Sequence, residues 1–407
     1  MCLKKIVVAI LMVCSFGMVE YAQALTLEDL EKRIEKLEQE NTKLKIKLGE
    51  TDEKINITAD ALEAVADKKH VNYLSESVSA WFDKTHIGGY GEMHYNNLDG
   101  ESGAKDKDEM DFHRFVLFFG HDFNDKISFF SEIELEHSVA GEDQNGEIEL
   151  EQAYINFKVN DRLNATAGLF LVPVGILNDV HEPPTFYGVE RNPVEKNIIP
   201  TTWWEGGAGI SGEINPSLNY DVYIHSGLET TAGDKYNIRK GRNKVSEARS
   251  KDMAATARLK WSGVKGLTLG ATYQYQEDIS QSEDSQAGGA QLYEIHAVLN
   301  HGLFTLKTLY ALWDLNGSGP RAVGADRQVG YYIEPSFKIT PQFGVFARFN
   351  EWDNQEGNNS KSGKQQWDAG VNYWPHPDVV IKADYQYQDN DNRMEQNGFN
   401  LGIGYQF

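Results

Sequence analysis

The chain ends in an alternating run, NGFNLGIGYQF, which covers residues 397–407. Its large apolar side chains all fall on one parity, at Phe399, Leu401, Ile403, Tyr405 and Phe407. Because successive side chains of a strand point to opposite faces, the run predicts a strand with one apolar face and one small or polar face. The same two-residue period recurs from His86 to the C-terminus in about sixteen segments. This part of the chain is therefore predicted to be all-β.

The connections between these segments alternate between short and long. The short ones are rich in turn-forming residues and cover residues 124–126, 160–163, 215–217, 262–265, 300–302, 340–342 and 375–378. Short turns at one rim and long loops at the other are typical of bacterial outer-membrane barrels. We therefore predict an all-β transmembrane barrel of about 16 antiparallel strands over residues 86–407. Its last strand must pair with its first, because no sheet edge can face lipid.

Residues 25–69 follow a different period. Leucine and isoleucine recur at alternating spacings of three and four, which is the a/d pattern of a heptad repeat. Asn41 occupies an a position, where a polar residue fixes register and oligomer number. The pattern predicts a parallel coiled coil, joined to the barrel by a linker over residues 70–85. The alternative is a single amphipathic helix that lies on the barrel or on the membrane surface.

The first 24 residues have the form of a secretory signal peptide. Lys4 and Lys5 precede an apolar stretch that ends in Ala22-Gln23-Ala24, an A-x-A cleavage pattern. A lipoprotein modified at Cys14 is the alternative. Both cysteines, Cys2 and Cys14, lie in the segment to be removed, so the mature chain has no disulfide and no thiol chemistry. These features predict a protein of the bacterial outer membrane, with the coiled coil as a stalk in the periplasm.

The bulk composition agrees with this interpretation. The mean hydropathy of −0.51 suits a barrel whose apolar face occupies only alternate residues. A formal net charge of −22 argues against nucleic acid as a partner. The mature chain lacks cysteine and the sequence has no G-x-S-x-G or H-E-x-x-H motif. We therefore expect no enzyme activity, no cofactor and no metal site, since His225 and His296 belong to no ligand cluster in the strand spacing.

The third long loop, residues 177–205, is the longest. It carries Pro183, Pro184, Pro193 and Pro200 together with many aromatic and aliphatic side chains. A loop surrounded by water has no use for that apolar content, so we predict that it folds inward onto the barrel wall. The alternative is packing against a neighbouring subunit. The charged residues that would form a constriction are Asp179, Glu182, Glu190, Arg191, Glu195 and Lys196.

The parity opposite to the apolar one is predicted to face the lumen. Basic candidates there are Arg114, Arg258, Lys260, Lys307, Arg348 and Lys382, and the acidic candidates, which outnumber them, include Glu132 and Glu134. One interpretation is a set of cross-strand salt bridges. The other is a transverse field in which acids of the third loop oppose wall arginines. The excess of acids predicts weak cation preference or none. A basic loop at 234–252 could attract anions, contact lipid phosphates or simply be solvated.

Short patterns carry a family resemblance. The strands GLFLVPVG (168–175) and RFVLFFGHDFND (114–125) resemble those of the phosphate-selective porin superfamily. The strand count and inward third loop are similar to those of trimeric porins. A related group with an N-terminal helical segment includes the legiobactin-type siderophore porins. The C-terminal aromatic residue resembles the ending of many outer-membrane barrels, which implies recognition by the barrel-assembly machinery.

The resemblance implies a water-filled channel for passive diffusion of small hydrophilic solutes or ions. The expected partners are outer-membrane lipid and lipopolysaccharide, small polar solutes and two further copies of the chain. One alternative is uptake of a siderophore or another specific solute without energy coupling through TonB. The second is a structural tether of the outer membrane.

Overall fold

The computed structural model describes residues 81–407 except 142 and 144, and a few residues between 35 and 45, which are helical. The chain divides into two units at Ala80 and Trp81. The predicted signal peptide, most of the predicted coiled coil with Asn41, and the predicted linker lie outside the described residues. No helix among the described residues is long and apolar enough to cross a membrane.

Within residues 81–407 the chain forms sixteen antiparallel strands. They are β1 (Thr85–Glu101), β2 (Lys107–Asn124), β3 (Ile127–Glu136), β4 (Ile148–Asn160), β5 (Leu163–Leu171), β6 (Trp204–Asn215), β7 (Leu218–His225), β8 (Ala254–Val264), β9 (Leu267–Gln276), β10 (Ala290–His301), β11 (Phe304–Leu315), β12 (Arg327–Thr340), β13 (Phe343–Asp353), β14 (Lys364–His376), β15 (Val379–Asn390) and β16 (Glu395–Gln406). Short helices occur in the loops, at α1 (Val194–Asn197) and α2 (Ser318–Val323).

The sheet closes on itself. Each strand pairs with its neighbours in sequence, and β16 pairs with β1 from Tyr90 opposite Gln406 to Glu101 opposite Glu395. The terminal residue extends this seam, because Phe407 and Gly89 exchange two backbone hydrogen bonds of 2.9 Å. The predicted all-β barrel of sixteen strands is confirmed.

The alternation in the sequence becomes an alternation between two faces of the wall. In β16 Phe399, Leu401 and Ile403 are exposed on the outer surface, whereas Asn400 is buried in the lumen. Outward apolar side chains recur around the barrel, and their exposure to solvent corresponds to contact with lipid in a membrane. The polar side chains of the opposite parity are buried, because other side chains and inward loops fill the lumen.

Several strands extend further than the hydrophobic pattern indicates. The sequence pattern predicts a long loop at 97–110, but β1 and β2 remain paired as far as Leu98 opposite Lys107. The added residues are polar, so they continue the hydrogen-bonded ladder without the alternation that marks the apolar band. The third loop spans residues 172–203 rather than 177–205, and we call it loop 3. Residues 226–253, between β7 and β8, are called loop 4.

Candidate functional site

Loop 3 is fixed to lumen-facing side chains of the wall by hydrogen bonds. Trp313 of β11 donates its indole N–H to the backbone oxygen of Ile198 at 2.9 Å. Asn372 of β14 donates to the backbone oxygen of Phe186 at 3.1 Å. The loop therefore lies inside the barrel, along the wall formed by β11 to β15.

Glu195 of α1 holds the loop together from within. One carboxylate oxygen accepts from the backbone N–H groups of Ile176 (2.6 Å) and Leu177 (2.7 Å). The other accepts from the side chain of Asn192 and from the hydroxyl of Tyr332 in β12, each at 3.0 Å. Glu195 is fully buried. The structure thus corrects its expected place at a constriction, because the carboxylate satisfies donors inside the loop and does not reach the channel surface.

A hydrophobic cluster joins loops 3 and 4 to the wall. Its members share complete or nearly complete burial on the lumen side, and they include Trp203, Trp313, Tyr236, Tyr332, Ile198, Ile199, Ile238 and Leu292. The rings of Trp203 and Trp313 lie 6.1 Å apart. Burial of this apolar surface favours the inward position of both loops. It also fills one side of the lumen, so open space remains towards β1 to β8.

Two basic residues that parity placed in the lumen are covered by loop 3. Arg348 is bound by Asp368 at 3.0 Å and by Glu334 at 3.1 Å, and it donates to the backbone oxygen of Tyr187 at 3.3 Å. Lys382 lies 3.5 Å from the ring centre of Phe186. Both side chains are buried, so the expectation that they line the channel is corrected.

The glycines of the C-terminal run leave room for this loop. A Cβ atom at Gly404 would lie 2.3 Å from the Cβ atom of Pro183, and one at Gly402 would lie 3.0 Å from Val189. The small residues on the lumen face of β16 therefore allow close approach of loop 3 to the wall.

Two cavities in the part of the lumen that the structure describes are large enough to matter for solutes. The turn-side cavity, of about 890 Å³, is lined by residues such as His86, Asp122 and Arg258 near the rim with short turns. The loop-side cavity, of about 380 Å³, lies towards the rim with long loops and is lined by residues such as Lys107 and Arg239. Lys307 lines neither of them, since it lies on β11 opposite Glu334, away from β1 to β8.

Charges in the turn-side cavity place a loop acid against wall bases. Asp179 of loop 3 accepts from Arg258 of β8 at 2.6 Å and from Lys260 at 3.0 Å. Arg258 also contacts Asp221 of β7 at 2.8 Å. Glu182 lines the same cavity. The structure therefore brings these predicted residues together in the orientation that the loop-acid hypothesis describes.

Charges in the loop-side cavity are arranged the opposite way. The wall supplies carboxylates, at Glu92, Glu109, Asp111, Glu136, Glu149 and Glu151. The loops supply bases, at Arg191, Lys196, Arg239, Arg242 and Lys244. Loop 4 contributes the last three, and the basic run 234–252 was the only sequence signal for them. The wall also supplies the bases Lys107 and Arg114, and Glu190 of loop 3 lies 4.0 Å from Lys107. The hypothesis of loop acids against wall bases therefore describes only a small part of the charge on this side.

The loop bases differ in their partners. Lys244 is paired with Glu147 and Glu149. Within the described part of the chain, Arg191, Lys196, Arg239 and Arg242 have no carboxylate within 4.0 Å. Instead Arg239 donates to the backbone oxygen of Thr201 at 2.6 Å, and Arg191 donates to the hydroxyl of Thr202 at 3.0 Å.

Several carboxylates around this cavity are paired. Glu92 contacts Arg114 at 2.8 Å, and Arg114 lies 3.6 Å from Glu134. Glu190 of loop 3 accepts from Asn96 at 3.1 Å and contacts His94 at 3.3 Å. Among the described residues that line this cavity, the loop bases Arg191, Lys196, Arg239 and Arg242 therefore have no carboxylate within 4.0 Å, while Glu136 and Glu151 have no Lys or Arg within that distance.

Three groups of side chains in the described residues bring metal-ligating atoms within 4.8 Å of one another. They are Asp111 with His113 and His137, Glu132 with Glu151 and His181, and Glu136 with Glu147 and Glu149. The first lines the loop-side cavity, and the second lies where the two cavities approach each other. Each group combines residues that are distant in sequence, which explains why strand spacing gave no sign of them.

Comparisons with known proteins agree with this architecture. An anion-selective porin from Comamonas acidovorans has 11% sequence identity and a TM-score of 0.55, over 79% of this chain and 99% of that one. The trimer form of OmpT, an outer membrane protein of Vibrio cholerae, has 11% identity and a TM-score of 0.52, over the same shares of the two chains. At such low identity these structures show a common fold alone.

Sequence comparison goes further. An uncharacterized protein of Aquifex aeolicus (strain VF5) is 31% identical over 361 residues, which cover 79% of this chain and 79% of that protein. The family model described as phosphate-selective porin O and P matches residues 87–407. The siderophore subgroup stays a prediction. The chain therefore belongs to the family of phosphate-selective porins O and P, and it is an outer-membrane channel for passive diffusion of solutes.

Proposed function

We propose that this porin has a narrow channel along β1 to β8 and that it preferentially admits small anions, phosphate among them. The observation that carries the proposal is the basic face of the loop-side cavity, formed by Arg191, Lys196, Arg239 and Arg242. A solute that enters from the long-loop rim meets this face before it meets the buried carboxylates nearer the turns.

The geometry of the guanidinium groups suits an oxyanion. A guanidinium has five N–H donors in a planar fork that matches carboxylate and phosphate. Arg191 uses only one donor on Thr202, and its Nε and Nη2 are buried with no hydrogen-bond partner among the described residues. The Nε of Arg242 is in the same state. Donors that no protein group uses, on residues that line the cavity, favour a ligand with several acceptor oxygens.

Mutual repulsion among the guanidinium groups of the loop arginines also favours a bound anion. Burial, together with the nearby charges of Arg242 and Arg191, lowers the pKa of Arg239. A bound anion would relieve that repulsion and restore favourable surroundings for the charged form. Anion preference replaces the expectation of weak cation preference. That expectation counted acidic and basic residues on the lumen-facing strand positions. Such a count omits loop 4, and it does not show which charged residues have ion-pair partners.

The test is the reversal potential of single channels in a planar bilayer under a KCl gradient. We expect the wild type to prefer chloride, and the variant Arg191→Gln/Arg239→Gln/Arg242→Gln to shift towards cations and to lose phosphate conductance. Arg249→Gln/Lys251→Gln/Lys235→Gln removes the same charge from exposed positions of loop 4 and should leave the potential nearly unchanged. A wild type that prefers cations, or a triple variant with an unchanged potential, would contradict the proposal.

We further propose that the porin is a homotrimer and that residues 25–69 form a coiled-coil stalk in the periplasm. The heptad pattern and the trimeric form of the Vibrio cholerae structure support this assembly. Deletion of residues 25–69 should leave the conductance of each channel unchanged, because the proposed route lies wholly within the barrel. The check compares single-channel steps of the deletion with those of the full mature chain. Loss of solute flux in a correctly folded deletion would favour a role for the stalk in transport.

A further inference from the structure

His181 of loop 3 faces two wall carboxylates at the boundary between the cavities. Its Nε2 lies 3.4 Å from Oε1 of Glu132 in β3 and 4.0 Å from Oε2 of Glu151 in β4. Only 4% of His181 and 1% of each glutamate are exposed. The three side chains come from three separate segments, so only the inward fold of loop 3 brings them together.

The facing atoms are unpartnered. Oε1 of Glu132, Oε2 of Glu151 and both ring nitrogens of His181 are buried and have no hydrogen-bond partner within the described residues. Buried polar atoms are normally satisfied, because water is absent to compensate for them. Three of these atoms, Oε1 of Glu132, Oε2 of Glu151 and Nε2 of His181, are the ones that face one another, which indicates a ligand between them.

The local charge indicates the sign of that ligand. Glu132, Glu134 and Glu151 are all buried at this boundary. Arg114 lies 3.6 Å from Glu134, and it is also paired with Glu92. Among the described residues, Arg114 is the only Lys or Arg within 4.0 Å of these three carboxylates, and a cation would balance the remaining charge.

We propose that Glu132, Glu151 and His181 form a binding site for a divalent transition metal ion with the preferences of Zn²⁺. One imidazole nitrogen and two carboxylate oxygens are a ligand set that this ion accepts, with a fourth position open to water or solute. Ligands at ordinary zinc distances lie about 3.3 Å apart in a tetrahedron. The two measured separations exceed this by less than 1 Å, so small side-chain rotations complete the site.

A neighbouring residue orients one of these ligands. Gln152 of β4 donates its side-chain N–H to the other oxygen of Glu132 at 2.5 Å, which leaves Oε1 directed at His181. Outer hydrogen bonds of this kind hold metal-binding carboxylates in place. The site therefore has three candidate ligands and a hydrogen bond that orients one of them.

A metal ion at this position would affect solute transport. This step rests on the proposed route through the two cavities. A bound metal would join loop 3 to β3 and β4 at the narrow region between the cavities. It would thereby narrow the passage, and its removal by a chelator would open the passage again. The porin would then combine passive diffusion with a metal-dependent reduction of its conductance.

The test measures single-channel current of the full mature chain while ZnCl₂ is added, followed by EDTA. We expect Zn²⁺ to reduce the wild-type conductance reversibly. His181→Ala and Glu151→Gln should need at least about 10- to 100-fold more Zn²⁺, since loss of an outer partner alone weakens metal sites by that factor. His296→Ala is the matched control, because His296 is a buried lumen histidine beside a single carboxylate, Glu294, at 2.7 Å.

His137→Ala separates this site from the other histidine cluster. The ring of His137 contacts Asp111 at 2.8 Å in the loop-side cavity. If Zn²⁺ inhibition survives in His181→Ala and disappears in His137→Ala, the cluster with Asp111 is responsible and the proposal is overturned.

Metal content provides a second readout that needs no current. Folded wild-type protein dialysed against Zn²⁺ should retain more ion than His181→Ala, and His296→Ala should match the wild type. Wild-type channels that conduct normally, ignore Zn²⁺ and retain no extra ion would refute the metal site and leave the porin function intact. Folded channels that carry no current would refute the proposed route instead.

Discussion

Glu195→Ala is expected to release loop 3 from the wall and to raise the single-channel conductance, with noisy, heterogeneous steps. The substitution removes the acceptor for two backbone N–H groups, at Ile176 and Leu177, and for the hydroxyl of Tyr332. Each buried donor left without a partner costs about 1–3 kcal/mol. The summed cost is comparable to the free energy that docks a loop, so the inward position should no longer dominate.

Matched variants show whether the hydrogen bonds accepted by Glu195 are responsible for the position of loop 3. Glu195→Gln keeps the volume and one acceptor oxygen, so its conductance should lie between those of the wild type and the alanine variant. Glu190→Ala removes the same charge from the same loop at a half-buried position, and its steps should remain uniform. Uniform wild-type steps from a folded Glu195→Ala channel would show that other contacts suffice to hold the loop.

Phe407→Ala is expected to reduce strongly the amount of folded barrel in the outer membrane. Phe407 closes the seam with Gly89, and its ring stacks near Phe115 and Tyr405, at 6.4 and 6.5 Å. The backbone bonds survive the substitution, but the aromatic contact on the lipid face does not. The resemblance of this ending to other outer-membrane barrels adds loss of recognition by the assembly machinery as a second cause.

Phe399→Ala provides the comparison for the terminal aromatic residue. Phe399 lies on the same strand and the same outer face, and it is also exposed. Heat-modifiable electrophoretic mobility of membrane fractions measures the folded fraction of each variant. Equal losses from the two variants would assign the effect to lipid contact in general and would remove the special role of the C-terminus.

The barrel could be predicted from the sequence because its determinants are local and repeated. Alternation at Phe399, Leu401 and Ile403 sets the lipid face, and turn residues such as those at 215–217 set the hairpins. The lipid environment adds a further constraint on the fold. Every membrane-spanning strand must pair with two neighbours, because lipid cannot satisfy the backbone hydrogen-bonding groups of a free edge. Only the strand ends were misjudged, where polar residues extend β1 and β2 beyond the apolar band.

The site was predictable only in part. Parity placed Arg348 and Lys382 correctly on the lumen side, yet it could not show that residues 183–190 cover them. The composition of the third loop indicated inward packing but not which of its charges would be used internally, as Glu195 is. Asp179 contacts Arg258 because both side chains face the open side of the lumen, which the sequence pattern does not reveal.

The amino-acid sequence by itself determined the strands, their lipid face, the closure of the barrel and the two kinds of rim. The tertiary structure alone decided the route left open in the lumen, the basic face contributed by loop 4 and the meeting of His181 with Glu132 and Glu151. The reason is physical. Strand pattern depends on neighbours a few residues apart, whereas a cavity depends on how two long loops share one apolar cluster with the opposite wall.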